Sequence, residues 1–295
     1  MAPNWMVWAV AIVAIGLLNA AAFVGGSYVL AIIVTRGRFG WPGFVYFVRE
    51  TLWVALTQSA LPAGWLRKER IRALPVAGGG EERPVRPIVL VHGFTQNRTN
   101  FMWLSRYLAA RGHGPFFGFD YWSFQRIETS ARELQAFVDR VVAATGATEV
   151  DLVCHSLGGL VARTYVDLLG GHARVRRVVT LGTPHRGIRL ALGGWLGRSV
   201  YEMQPRHGFI QKLDDAPVPA GVRYVSIYSM HDNIVLPGVV SSLAGRGRDV
   251  VVHQQGHFGI LFSGAVAAHV HAGLTDADEL TGSPGGDASG PPRAA

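Results

Sequence analysis

Ser156 has the neighbours that a nucleophile needs. It stands in Asp151-Leu152-Val153-Cys154-His155-Ser156-Leu157-Gly158-Gly159, with an apolar strand pattern before it and a helical pattern, 160–169, after it. A serine at a sharp strand-to-helix turn is held out at the end of a sheet, where the helix N-terminus favours developing negative charge. So tight a turn requires small neighbours. The usual elbow reads Gly-X-Ser-X-Gly; here Cys154 replaces the first glycine, and its small side chain is expected to keep the turn.

A serine hydroxyl needs a base to take its proton and an acid to orient that base. In this geometry they follow the serine in the order acid, then histidine, at the C-terminal ends of strands. Asp232 follows the strand pattern Arg223–Tyr228, which makes it the expected acid. Asp214 and Asp215 follow no clear strand, and Asp249 precedes one. His257 lies in Gln254-Gln255-Gly256-His257-Phe258-Gly259, where flanking glycines let an imidazole reach the serine, and is the expected base. His253, at a strand end, is the alternative; His269 and His271 fall in the last helical pattern. A second turn, His92-Gly93-Phe94, ends the buried run Pro87–Val91. The backbone N–H groups of Phe94 and Leu157 are the expected oxyanion hole, and His92 reads as a structural turn residue.

These residues must be positioned by a frame. Strands are expected at Pro87–Val91, Pro115–Phe119, Glu149–Val153, Arg177–Leu181, Arg223–Tyr228 and Asp249–His253, alternating with helices. The clearest helix is 130–144, opened by a Ser130/Glu133 capping box and stopped at Gly146. Strongly apolar strands alternating with helices predict an α/β fold, a mostly parallel sheet covered on both faces. The apolar segment 188–213, beginning after a strand beside the nucleophile strand, reads either as a cap over the site or as core.

The N-terminal region is different. No charged side chain precedes Arg36, and 7–34 is almost wholly apolar, long enough to cross a bilayer as a tilted helix. A retained membrane anchor fits better than a cleaved signal, because no basic segment precedes the run. Residues 41–66 are also apolar but carry Arg49 and Glu50; an interfacial helix, with its tryptophans at head-group level, spares those charges a crossing. Four units are thus expected: a membrane anchor and interfacial helix over 1–76, a linker over 77–85, the catalytic domain over 86–274 and a disordered tail, rich in Gly, Pro, Ser and Asp, over 275–295. Arg36, Arg38 and the cluster Arg67, Lys68, Arg70, Arg72 favour a cytoplasmic catalytic side at an inner or plasma membrane, whereas a hairpin would separate the two groups.

The formal charge of +8 comes mostly from scattered arginines, which argues against nucleic acid as partner, and the basic cluster suits anionic lipid. The single cysteine, Cys154, excludes an internal disulfide. No Cys/His spacing suggests a zinc site, and neither metal nor cofactor is expected. Asn97-Arg98-Thr99 matches a glycosylation acceptor.

Over roughly 86–272 the chain resembles the lipase and esterase branch of the α/β hydrolases. The resemblance rests on His92-Gly93-Phe94, on the Ser156 segment through Arg163, on Leu181-Gly182-Thr183-Pro184-His185-Arg186-Gly187, on Ser229–Pro237 and on His257-Phe258-Gly259. The Leu-Gly-Thr-Pro-His-X-Gly piece is typical of bacterial triacylglycerol lipases. The resemblance implies hydrolysis of carboxylic esters of lipids through an acyl-enzyme on Ser156. A membrane-lipid deacylase, a thioesterase or an acyltransferase would share the same triad, and a silent scaffold would not need it.

Overall fold

Six short apolar segments pair into one parallel sheet of order β2-β1-β3-β4-β5-β6. The computed structural model describes residues 4–35, 41–66, 86–188, 197–205 and 207–275. In chain order the elements are α1 (Asn4–Thr35), α2 (Trp41–Leu66), β1 (Ile88–Val91), α3 (Met102–Ala109), β2 (Phe116–Phe119) and α4 (Ile127–Thr145). Then follow β3 (Val150–His155), α5 (Leu157–Arg163), β4 (Val175–Leu181), α6 (Arg198–Glu202), α7 (Gly208–Asp215), β5 (Arg223–Ser229), β6 (Arg248–Val252) and α8 (Gly264–Leu274). All six expected strands are present, each within two residues of its expected bounds. The expected linker at 77–85, the basic cluster at 67–72 and residues 276–295 lie outside the described residues.

The central strands β1, β3, β4 and β5 are buried almost throughout, their successive side chains pointing to opposite covering layers, while the edge strand β6 is largely exposed. Val89, Val91, Leu152, Cys154 and Val178 face the α4–α5 layer, while Ile88, Leu90, Val153, Val179 and Leu181 face α3 and α8. This accounts for near-continuous apolar strands rather than alternating ones.

One local expectation is corrected, and one open choice is narrowed for its described part. The capping box at Ser130 does not form, because α4 begins earlier, at Ile127. The Ile127 N–H instead donates to Glu202 Oε2 (2.7 Å), a partner from α6, and Ser130 and Glu133 both accept from Gln125 Nε2. The open choice is the segment 188–213, between cap and core. Ile188, Val200, Met203, Ile210 and Leu213 are buried in the same cluster as the sheet, so the described part of 188–213 closes the core. Residues 189–196, with Trp195, lie outside the described residues.

The helix behind Ser156 is fastened by a buried ion cluster. Arg163 and Asp167, each with a side chain only 1% exposed, pair at 3.3 Å. Arg163 Nη2 also donates to the Leu213 carbonyl (2.8 Å), and Asp167 accepts from the Tyr224 hydroxyl and faces Arg246 at 3.6 Å. Removing one member leaves a desolvated charge without a partner. Asp167→Ala is therefore expected to cost about 3–5 kcal/mol in a denaturant or thermal melt. A loss below about 1 kcal/mol, the range of exposed pairs, would show that the cluster is solvated.

The first two helices form a hairpin that packs on the rest of the chain. Ala20, Val24 and Val54 cluster with Phe258, Trp53 stacks on Phe262 (4.3 Å between ring centres), and Asn97 Nδ2 donates to the Leu61 carbonyl (2.9 Å). Trp53 thus serves protein packing rather than a head-group layer. Asn97 is buried and its amide is occupied, so the glycosylation match has no accessible nitrogen.

Candidate active site

Strand β3 delivers Ser156 to the C-terminal edge of the sheet in a backbone conformation that side chains rarely adopt, φ 52° and ψ −123°. Such a residue costs about 1–3 kcal/mol and persists only where its surroundings hold it. Here the Ser156 N–H donates to the Leu181 carbonyl (2.9 Å) and Thr183 Oγ1 donates to the Ser156 carbonyl (2.9 Å). The Leu-Gly-Thr-Pro-His segment therefore has a physical role as the brace of the elbow. The following turn runs against the end of β1, where a Cβ on Gly158 would lie 2.6 Å from the His92 carbonyl oxygen. Cys154 remains in β3 as a fully buried residue beside Val91 and Thr180, and the elbow forms without the customary glycine.

His257 and Asp232 come to this serine from the loops after β6 and β5. Asp232 Oδ1 accepts from the N–H groups of Ile234 and Val235, both at 2.8 Å, which fixes its carboxylate. Its Oδ2 lies 2.8 Å from His257 Nδ1, and His257 Nε2 lies 2.9 Å from Ser156 Oγ. An ionised Asp232 accepts the Nδ1–H, so the Nε2 lone pair is left to receive the serine hydroxyl. Burial alone would lower the pKa of His257. The charge and hydrogen bond of Asp232, with the charge of Glu50 behind them, outweigh that effect and raise it.

The alternatives are elsewhere. His253 is exposed and lies edge-on to His231. Asp249 accepts from Ser242 and from the Leu243 N–H as a turn residue, Asp214 lies 3.8 Å from Arg163, and Asp215 is exposed at the end of α7. Leu157 opens α5 directly after the serine, and Phe94 follows Gly93 in the turn after β1, its ring against Phe124. His92 is buried, with Nδ1 2.8 Å from the Gly93 carbonyl oxygen and Nε2 accepting from the Tyr121 N–H. Burial takes its pKa down to about 4, which keeps it neutral.

A surrounding layer was not visible in the motifs. His155 bridges Gln96 Oε1 and the His257 carbonyl oxygen, 2.9 Å from each. Asn233 Oδ1 accepts from the His257 N–H (2.9 Å), and Asn233 Nδ2 reaches Ser27 Oγ on α1 (2.6 Å). Glu50, on α2, accepts from the N–H groups of Phe258 (2.6 Å) and Gly259 (2.9 Å). Burial pushes its carboxyl up to about 7 despite those two bonds. The available signal was the Arg49-Glu50 pair inside an apolar helix, which had to find partners somewhere.

Residues 51–196 match the model of a domain of unknown function (DUF7379), a match that begins within α2 and includes the Ser156 elbow. Triacylglycerol lipases of Pseudarthrobacter phenanthrenivorans and Burkholderia plantarii are each 37% identical to this chain over 115 residues. The matches cover 36% of this chain and 35% and 31% of those lipases, so the chain spans about a third of the length of the curated relatives it matches. Among solved structures, the mature lipase of Bacillus licheniformis superposes with a TM-score of 0.57 at 20% identity, covering 68% of this chain and 96% of that one. Aspergillus fumigatus lipase B superposes with a TM-score of 0.53 at 17% identity, covering 63% of this chain and 51% of that one.

Proposed function

We propose that this chain, which has the α/β-hydrolase fold, hydrolyses carboxylic esters of lipids through an acyl-enzyme on Ser156. The observation that carries the proposal is the continuous line from Asp232 through His257 to Ser156 Oγ, with contacts of 2.8 Å and 2.9 Å. His257 Nε2 takes the hydroxyl proton as Oγ bonds to the ester carbonyl carbon. The carbonyl oxygen becomes an oxyanion, received by the N–H groups of Phe94 and Leu157. When the carbon–oxygen bond to the alcohol breaks, the imidazolium returns its proton to the leaving oxygen. Water, deprotonated by the same imidazole, then attacks the acyl-enzyme and releases the carboxylic acid and free Ser156.

The full chain in detergent should turn over p-nitrophenyl esters, with a chain-length profile that reports the acyl preference, and Ser156→Ala should not. Absence of turnover at every chain length would contradict the proposal.

We also infer that α1 holds the chain in a membrane. Gly16–Ile33 is long and apolar enough to cross one, and Leu18, Phe23, Val29 and Ile33 are exposed. Ala20, Val24 and Ser27, by contrast, face α2 and the catalytic loops. Residues 4–19, roughly 24 Å of helix at 1.5 Å per residue, precede those contacts and extend the apolar helix beyond them. The loop of His257 would then sit at the membrane boundary. Full-length protein should remain in the membrane pellet after alkaline extraction; release into the supernatant would remove the anchor from this account.

A further inference from the structure

A membrane anchor needs no hydrogen bond to an active-site loop, yet α1 supplies one and α2 several, Arg49 adding bonds to Gln254 and Gln255 beside those of Glu50. From α1, Ser27 holds Asn233, which receives the His257 N–H. From α2, the Glu50 carboxylate receives the next two N–H groups in the chain, those of Phe258 and Gly259. Three consecutive backbone N–H groups, beginning with that of His257, are thus held through the hairpin.

The loop is moulded around this carboxylate. A Cβ on Gly256 would lie 2.7 Å from Glu50 Oε1, and one on Gly259 would lie 2.9 Å from Oε2. The glycines that flank His257 therefore make room for Glu50 as well as giving the loop its bend. Glu50 is only 2% exposed. A carboxylate in such a place is costly to desolvate, and an apolar side chain would pack there at lower cost. What the carboxylate adds is directional: two charge-assisted bonds that set the orientation of one loop.

We propose that Glu50 is a positioning residue for the base: carried on α2, it grips the two N–H groups after His257 and thereby fixes where the imidazole points. The proposal rests on the reading of Ser156, His257 and Asp232 as a catalytic triad. It makes the hairpin a structural part of the active site, so that the docking of α2 sets the competence of the triad. The charged groups that act on Glu50 are His257 and Asp232 from the catalytic loops; Tyr28 on α1 feels its charge, and Arg49 precedes it on α2. Where Glu50 is ionised, which its carboxyl at about 7 makes partial at neutral pH and fuller above it, its negative charge favours the imidazolium of His257. Removing that charge should lower the pKa of the base, and the acid limb of the rate profile should move to lower pH.

The test uses full-length protein in detergent, with p-nitrophenyl ester turnover measured across the neutral pH range. Glu50→Gln should lower kcat by about 10–100-fold, the scale of a slightly misplaced catalytic group. KM should not change, and the acid limb should shift down. Glu50→Asp keeps the charge but shortens the reach, and should lower kcat with the limb in place. Wild-type kcat and an unmoved limb in Glu50→Gln would overturn the proposal. So would a fall in kcat with a raised KM and an unmoved limb, which is the signature of general loosening. If Glu50→Gln shows no cooperative melting transition, Glu50→Asp decides: reduced kcat supports positioning and wild-type kcat overturns it. Wild-type turnover that survives Ser156→Ala would remove the triad reading, and this proposal with it. Turnover that needs Ser156 but is indifferent to Glu50 would remove this proposal alone.

Discussion

Ser156→Ala is expected to lower kcat by about a million-fold, or about 8 kcal/mol of transition-state stabilisation, the scale at which a hydrolase loses its nucleophile. The size follows from the way the site is built. Asp232 and His257 have one productive function here, to take the proton of Ser156 Oγ, and without that oxygen neither has a substrate group to act upon. Adding His257→Ala to Ser156→Ala should therefore cost little more, because residues that act as a unit are not additive. The fold should be unaffected, since alanine keeps the Cβ and the braces of the elbow are backbone groups and Thr183. Steady-state turnover of the most reactive ester measures the effect, and a loss of less than about ten-fold (about 1.4 kcal/mol) would mean that the reaction does not pass through this oxygen.

Asp232→Asn should lower kcat by about ten-thousand-fold, the magnitude of the same change in a serine protease triad. The side chain can stay in place, because its Oδ1 can still accept from the N–H groups of Ile234 and Val235. The amide nitrogen then takes the position of Oδ2, facing His257 Nδ1. It donates, so Nδ1 must accept, and the ring proton moves to Nε2. The Nε2–H then donates to Ser156 Oγ instead of accepting its proton, so the base has the wrong tautomer. The charge that raises the pKa of His257 is also lost, so the residual activity should titrate at lower pH than the wild type. Near-wild-type turnover with an unshifted acid limb would show that another group orients the histidine.

The sequence carried the frame and the reacting residues unequally well. Strands were legible because a sheet covered on both faces demands nearly unbroken apolar runs, and Ile88–Val91 is such a run. The three side chains of the proposed triad were legible because each follows a strand at the same edge of the sheet. What local pattern could not supply was the partner from far away. The first turn of α4 is completed by Glu202, 75 residues later, so the Ser130/Glu133 signature pointed three residues too far along. The apolar run through Val200, Ile210 and Leu213 is consistent with either a cap or core, and only its packing against the sheet decides. Glu50 and Gly259 are 209 residues apart, and no spacing rule joins them. The charged pair in an apolar helix signalled that a partner existed without saying which.

The most direct test of the central claim is the mapping of a fluorophosphonate adduct. The reagent phosphonylates an activated serine oxygen in proportion to its activation, and the modified peptide identifies the residue by mass. Full-length protein should carry one adduct, on the peptide that contains Ser156, and Ser156→Ala should carry none. An adduct on any other serine, or equal labelling of wild type and Ser156→Ala, would contradict the account.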